Sequence, residues 1–399
     1  MNEHRALVTR VVGEPHSGRF ASLEGYRGVA ALMVVVYHVR GAVVHRPPTA
    51  RADIVDNFGN FGVAVFFLLS GFLLFRPMSD AMLRRTRPAP AGRFLLRRAL
   101  RIYPGYWLAL VGWAAFATAE ARNATSPVKA FFLLSSELNG LGVAWTLAIE
   151  VRFYVFLAVV GAIGPMLAVR CRSARNVMRW QAAFLVAMYV TAVVFRIIIV
   201  NVHDGVFLYA GSMVNYLDWF AWGMTLALLV AWRDNGGTVW RPLAQLATRE
   251  WACFLCAALC FMAVVKVMAD PLSLSAKEAT PAYFFRFALQ AIAGFFLLLP
   301  AVLGDQGQPV QRFLRSAWPA AVGTVSYGLY LWHKTILEAL DKHLPNGDTW
   351  YGLVGGLAIV VAISLTLATV SYRLLERPAL KLADTPPRRQ RKSLGVTAG

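Results

Sequence analysis

LEGYRGVAALMVVVYHV, Leu23 to Val39, is the stretch on which the fold turns. Its apolar run is long enough to begin crossing a bilayer, yet it opens with Glu24 and Arg27 and carries His38 well inside. An ionisable side chain at the centre of a membrane helix costs several kcal/mol unless it is partnered, so one that is kept there is kept for use. The segment therefore reads as a transmembrane helix with working polar groups, and the rest of the chain has to supply their partners.

The composition agrees. Of 399 residues, 58% are hydrophobic and only 15% are charged, and the mean hydropathy is +0.53. The apolar residues come in long blocks, not in the short alternating runs of a soluble domain. Blocks of spanning length, on the order of 20 residues, fall near 23–44, 58–75, 104–121, 143–169, 181–200, 214–232, 250–269, 282–303, 318–340 and 350–376. The fold class expected is all-α, a polytopic membrane protein with about ten transmembrane helices. The block at 128–142 is too short and too polar to span, and it is expected to be re-entrant or interfacial.

The formal net charge of +19 is no signal for nucleic acid, because the basic residues sit in short connections between the apolar blocks. Lys and Arg accumulate in 76–104, 170–180, 232–242, 311–316 and 388–392. The intervening loops are poorer in them, so the positive-inside rule puts both termini in the cytoplasm. The expected organisation is a cytoplasmic segment 1–22, a membrane domain 23–384, and a basic, Pro-rich tail 385–399 that is compositionally disordered. The expected location is a bacterial cytoplasmic membrane. Cys253, Cys256 and Cys260 share a helix, but no His or carboxylate accompanies them, so no metal is expected.

Arg27 and His38 are eleven residues apart, which at 100° per residue returns them to nearly one face, about 16 Å apart along the axis. On the fourth block, AWTLAIEVRFYVF places Glu150 at about the depth of His38, some 10 Å from the outer end. On the ninth, GTVSYGLYLWHKTIL puts Ser326, Tyr330 and His333 on one face, with His333 again about 10 Å from the outer end. Two histidines and a carboxylate thus share a layer. An imidazole whose second nitrogen is held is the usual equipment for taking a proton from a hydroxyl near neutral pH. In RFLLRRALRIYP, Arg93, Arg97 and Arg101 stack at i, i+4 and i+8 beside Arg98, a row suited to multiply charged phosphates.

These stretches together resemble the acyltransferase-3 family of integral membrane acyltransferases. LEGYRGVAALMVVVYHV resembles its Arg-x10-His signature, and FGVAVFFLLSGFLL its second-helix pattern. RRALRIYPGYW resembles its Arg-rich approach to the third helix and WTLAIEVRFY its Trp-x-x-x-x-Glu-x-x-Phe-Tyr, while VSYGLYLWH and LLERP resemble its late helices. The resemblance runs from Leu23 to Pro378. It implies an acyl-CoA co-substrate delivered from the cytosol and a sugar hydroxyl acceptor supplied from the outer side of the lipid bilayer. It also implies His38 as the catalytic residue, supported by Arg27, and Arg98 and Arg101 among the CoA-phosphate contacts.

The site expected on these grounds has His38, Glu150 and Arg27 as catalytic residues, Arg98, Arg101, Arg97 and Arg93 as donor-binding residues, and His333, Tyr330, Tyr154 and Trp145 as substrate-binding residues. Glu150 is expected to orient His38, bind the acceptor or neutralise Arg27. The acyl group is expected to be acetyl, or succinyl if Arg196, Lys266 and Arg286 face the cavity. The acceptor is a cell-envelope polysaccharide or glycolipid, or alternatively a small glycosylated molecule. No SGNH-type hydrolase domain is expected after the membrane part. The rival class is a transporter that uses the same ionisable groups as a proton relay.

Overall fold

The computed structural model describes residues 20–44, 54–86, 88–116, 126–134, 141–202, 211–268, 279–340, 343–345, 347 and 349–384. Its long helices are α1 (Ser22–Val43), α2 (Ile54–Leu83), α3 (Ala91–Phe116), α5 (Trp145–Arg170), α6 (Ala174–Val202), α7 (Leu217–Asp234), α9 (Glu250–Met268), α10 (Ala279–Val302), α13 (Ser326–Leu340) and α14 (Trp350–Ser371). Shorter helices are α4 (Pro127–Phe131), α8 (Arg241–Ala247), α11 (Pro309–Leu314), α12 (Ala317–Thr324) and α15 (Arg377–Asp384). The described residues form no strand. The proposed tail 385–399 lies outside them.

Seven of the helical stretches are long and apolar enough to cross a membrane: 54–83, 142–170, 174–199, 213–234, 250–267, 284–302 and 350–382. The chain is a multi-pass membrane protein. The other three expected spans are also helical, as α1, α3 and α13: α1 and α3 carry the ionisable residues singled out above, which lowers their hydropathy, and α13 is only 15 residues long.

Three expectations about element ends change. The arginine row does not precede the third span. It is the first half of α3, which runs unbroken through Pro104, so the arginines are carried on the same rigid rod as the membrane part. The block at 318–340 is broken at Val325 into α12 and α13. The final span continues through a π-helical turn, Tyr372–Glu376, into α15.

Helix α2 is the hub, packed against α1, α5, α7 and α10. It meets α7 almost backbone to backbone: a Cβ on Gly71 would lie 2.3 Å from the Phe220 carbonyl oxygen, and one on Gly223 would lie 1.9 Å from that of Leu68. Water supplies no drive to pack helices inside a bilayer, so close approach through small residues is what gains dispersion energy there. Phe67, Phe153 and Phe220 stack around this seam, with centroids 4.6 and 3.8 Å apart. The far side of α7 is secured by a buried ion pair in which Arg196 of α6 donates to Asp218 at 2.5 and 2.9 Å. Asn215 also accepts from this guanidinium, which lies over Phe287 at 4.1 Å. At one end of the bundle, Arg40 pairs with Asp56, closing α1 onto the start of α2.

The described part of the short polar block, 126–134, is pinned to α3 by side-chain donors. Tyr106 donates to the Ala130 carbonyl at 2.6 Å, Trp107 to Phe131 at 3.0 Å and Tyr103 to Phe132 at 3.2 Å. Arg152 of α5 donates to the Leu134 carbonyl at 2.8 Å. The segment lies against the side of α3 and does not enter the bundle: α4 has no buried residue, and Val128, Phe131, Phe132 and Leu134 are exposed.

Adding a side chain at the α2–α7 seam forces the two backbones apart. Gly223→Ala is expected to destabilise the protein by about 1–3 kcal/mol, the usual range for overpacking, seen as a lower melting temperature in detergent. Gly41→Ala, where nothing lies within 4 Å, leaves that temperature unchanged.

Candidate active site

Five helices converge on one internal cavity of about 100 Å³. Arg27 comes from α1, Phe66, Ser70, Leu73 and Leu74 from α2, and Arg98 and Arg101 from α3. Thr146, Glu150 and Tyr154 come from α5, and Tyr327 and Tyr330 from α13. Among the described residues, three guanidinium groups therefore face one lining carboxylate, an excess of positive charge in an apolar surround that favours an anionic guest.

The carboxylate is held by a neighbour. Ser70 donates to Glu150 at 2.6 Å, so the Ser70–Gly71 pair serves both close packing and the cavity wall. Arg27 has Glu24 of its own helix 3.8 Å away. Tyr327 closes the opposite wall by donating to the Ile102 carbonyl at 2.6 Å.

A second cavity, about 310 Å³, adjoins the first and shares Leu73, Leu74 and Arg98 with it. Its walls add Arg93, Phe94 and Arg97 from α3 and Pro77 and Met78 from α2. The four expected arginines thus divide: Arg93 and Arg97 belong to the outer chamber, Arg101 to the inner one, and Arg98 to both.

At its far end the inner cavity meets Tyr330. The Tyr330 hydroxyl donates to the Val143 carbonyl at 3.0 Å and lies 2.8 Å from the Thr146 hydroxyl. The Tyr330 ring packs on Phe66 of the cavity wall and, with centroids 5.8 Å apart, on His333. Next to His333 lies His38, with His333 Nε2 3.3 Å from His38 Nδ1. His333 is fully buried, whereas His38 keeps part of its surface accessible. The layer of two histidines expected from helix depth is formed, and one tyrosine ring separates it from the arginine-lined chamber.

The remaining expected residues take other places. Glu150 reaches Ser70, not an imidazole. Tyr154 lines the cavity wall, whereas Trp145 packs on Tyr216, centroids 5.6 Å apart, outside that wall. Arg196 is committed to Asp218, and Lys266 is exposed on α9. Among the described residues no group of three or more His, Cys, Asp or Glu is gathered as a metal cage.

Sequence reasoning missed Thr146, Ser70 as a carboxylate donor, and Glu376. The π turn rotates Glu376 inward, where it is 3% exposed and accepts from Ser371 at 3.4 Å. There it faces Gly105, one turn beyond Arg101 on α3. A single-turn π bulge is a recurrent mark of functional sites, but nothing in the local sequence RLLERP announces one.

An arginine-lined cavity thus lies inside a helical membrane bundle, with one tyrosine ring between it and a pair of imidazoles. A family model described as an acyltransferase domain matches residues 20–372, and the chain belongs to that family, the acyltransferase-3 membrane O-acyltransferases. Among curated proteins it is similar to "Nodulation protein 10" of Rhizobium leguminosarum bv. viciae, at 26% identity over 92% of this chain and 95% of that one. It is also similar to "Peptidoglycan O-acetyltransferase OatA" of Listeria monocytogenes, at 23% identity over 90% of this chain, which spans 56% of that relative. No solved structure matches the chain.

Ser70→Ala removes the 2.6 Å hydrogen bond that Ser70 donates to Glu150. A hydrogen bond to a charged group contributes about 1.5–3 kcal/mol. The variant is therefore expected to lose at least about tenfold in kcat/KM for acyl transfer, measured on protein that melts at the wild-type temperature.

Proposed function

We propose that the protein transfers an acyl group from acyl-CoA to a hydroxyl of a cell-envelope polysaccharide or glycolipid. In this reading the arginine-bearing ends of α2 and α3 face the cytosol of a bacterium, and both termini lie on that side. The observation that carries the reading is the pair of joined cavities. A five-arginine path, Arg93, Arg97, Arg98, Arg101 and Arg27, leads inward to the tyrosine behind which the imidazoles lie.

The chemistry follows the geometry. The nucleotide and its phosphates occupy the larger outer chamber, where the planar guanidinium groups of Arg93, Arg97 and Arg98 suit phosphate oxygens. The pantetheine arm threads the inner cavity between Arg101, Arg27 and Glu150, and the thioester reaches Tyr330. His38, which keeps accessible surface, takes the proton of the acceptor hydroxyl. The oxygen attacks the thioester carbonyl, the carbon–sulfur bond breaks, and the thiolate leaves with the proton that His38 returns.

Holding base, alcohol and thioester together supplies most of what such a reaction needs. Direct attack is favoured because no Cys or Ser stands beside His38 in the contacts described. The small inner cavity and the commitment of Arg196 to Asp218 favour acetyl over succinyl as the acyl group. The acceptor class is supported by the relative whose name makes it a peptidoglycan O-acetyltransferase.

Arg97→Gln and Arg98→Gln are each expected to raise KM for acyl-CoA by about tenfold or more, the value of one charge-assisted phosphate contact, with KM for the acceptor unchanged. His38→Ala is expected to lower kcat by 10²–10⁴, the range for removing a general base. Acyl transfer by purified protein in detergent, where no gradient exists, measures all three. Absence of transfer by the wild type, or a His38 variant as active as wild type, would rule the reading out.

A further inference from the structure

His333 read from the sequence as a substrate-binding residue, yet its contacts give it no route to a substrate. It is fully buried, and its neighbours are His38, Tyr330 and its own helix. What the contacts do fix is where its proton sits. His333 Nδ1 lies 3.2 Å from the carbonyl oxygen of Leu329, four residues earlier on α13. A carbonyl only accepts, so Nδ1 carries the hydrogen and Nε2 carries the lone pair. That lone pair lies 3.3 Å from His38 Nδ1.

His38 obeys the same logic on α1. Its Nδ1 lies 2.9 Å from the Val34 carbonyl oxygen, again four residues earlier. Two acceptors, Val34 O and His333 Nε2, therefore converge on one ring nitrogen, and the hydrogen of a neutral His38 has to be on Nδ1. The consequence is chemical: Nε2 of His38 is left unprotonated, the state a general base needs. When it takes a proton, the imidazolium still has both acceptors on its Nδ1–H. The two rings are tilted at 51° with centroids 5.0 Å apart, so they meet edge on through these nitrogens and are not stacked.

We infer that His333 is the positioning residue of the catalytic base: its Nε2 accepts the Nδ1–H of His38, holds Nε2 of His38 as the free base, and bears on the positive charge that forms there. This rests on the reading of His38 as the base. It gives to a second imidazole the task that a carboxylate performs in many hydrolases, and it releases Glu150 for the chamber wall. Proton balance is kept within the dyad. One proton enters His38 at Nε2 from the alcohol and leaves from Nε2 to the thiolate, while the proton on Nδ1 stays in its hydrogen bond to His333 throughout.

The test is a comparison of His333→Gln and His333→Met in purified full-length protein, with acetyl-CoA as donor and His38→Ala alongside. Glutamine can present its amide oxygen where Nε2 stood, whereas methionine fills the space without an equally good acceptor. The expected result is a fall in kcat of about 10²-fold for His333→Met with KM for acetyl-CoA unchanged, and recovery of His333→Gln to within about tenfold of wild type, since the positioning partner of a catalytic histidine contributes at this scale or above. The unchanged KM also reports that the protein is folded. Equal activity of the Gln and Met variants, whether high or low, would overturn the inference, and so would a loss carried by KM, which would make His333 a binding residue. An inactive His38→Ala beside a fully active His333→Met would sink this inference alone, whereas an active His38→Ala would sink the reading on which it rests.

Discussion

In the proposed reading, everything in this molecule depends on keeping an imidazole usable inside an apolar bundle. A polar group removed from water has to find its hydrogen bonds in protein, and His38 finds them in a helix carbonyl and a second histidine. That solution constrains the fold. α1 and α13 must cross with two residues 295 apart in sequence brought within 3.3 Å. α1 is held to its place by contacts with α2, α12, α13 and α14, some of them as close as backbone against backbone. A Cβ on Gly323 of α12 would lie 1.9 Å from the Glu24 carbonyl oxygen of α1. The helix that carries both Arg27 and His38 is thus seated where a shift of an ångström meets a wall.

The charged half of the site is organised on the opposite principle. The arginines of α3 line two chambers, and among the described residues Glu150 is the one acidic residue in the lining of the inner one. The structural cations behave otherwise: Arg196 is buried and saturated by Asp218, Asn215 and the Phe287 ring. In the proposed reading, that difference separates a guanidinium that holds the fold from one that holds a ligand. Tyr330 stands between the two halves, hydrogen-bonded to the start of α5 and packed on both the chamber wall and the imidazoles.

Much of this was legible in the sequence, and the parts that were not share a cause. The single-face spacing of Arg27 and His38, the arginine row and the common depth of His38 and His333 follow from helix geometry, which is local. The continuity of α3 through Pro104, the break at Val325 and the inward turn of Glu376 depend on neighbours that periodicity cannot see. The assignment of Glu150 shows the limit most clearly. Depth matching put it level with His38, but depth leaves the direction of the side chain free, and Ser70 claims it. Hydropathy by itself passes over α1 and α3, the helices that carry Arg27, His38 and the arginine row, because charge stands where a membrane span is normally apolar, and α13, with His333, is cut to 15 residues by the break at Val325.

The central claim is that a donor enters along the arginines and presents its thioester to His38. The most direct measurement is an experimental structure of the protein with a non-hydrolysable acyl-CoA analogue bound. The account predicts phosphates on Arg93, Arg97 and Arg98, a displaced Tyr330 ring, and the acyl carbonyl carbon reaching the neighbourhood of His38, within the roughly 3–3.5 Å attack distance of an oxygen bonded to its Nε2. An analogue that leaves Tyr330 in place and ends its acyl group on the Arg27 side, or that binds outside both chambers, would contradict it.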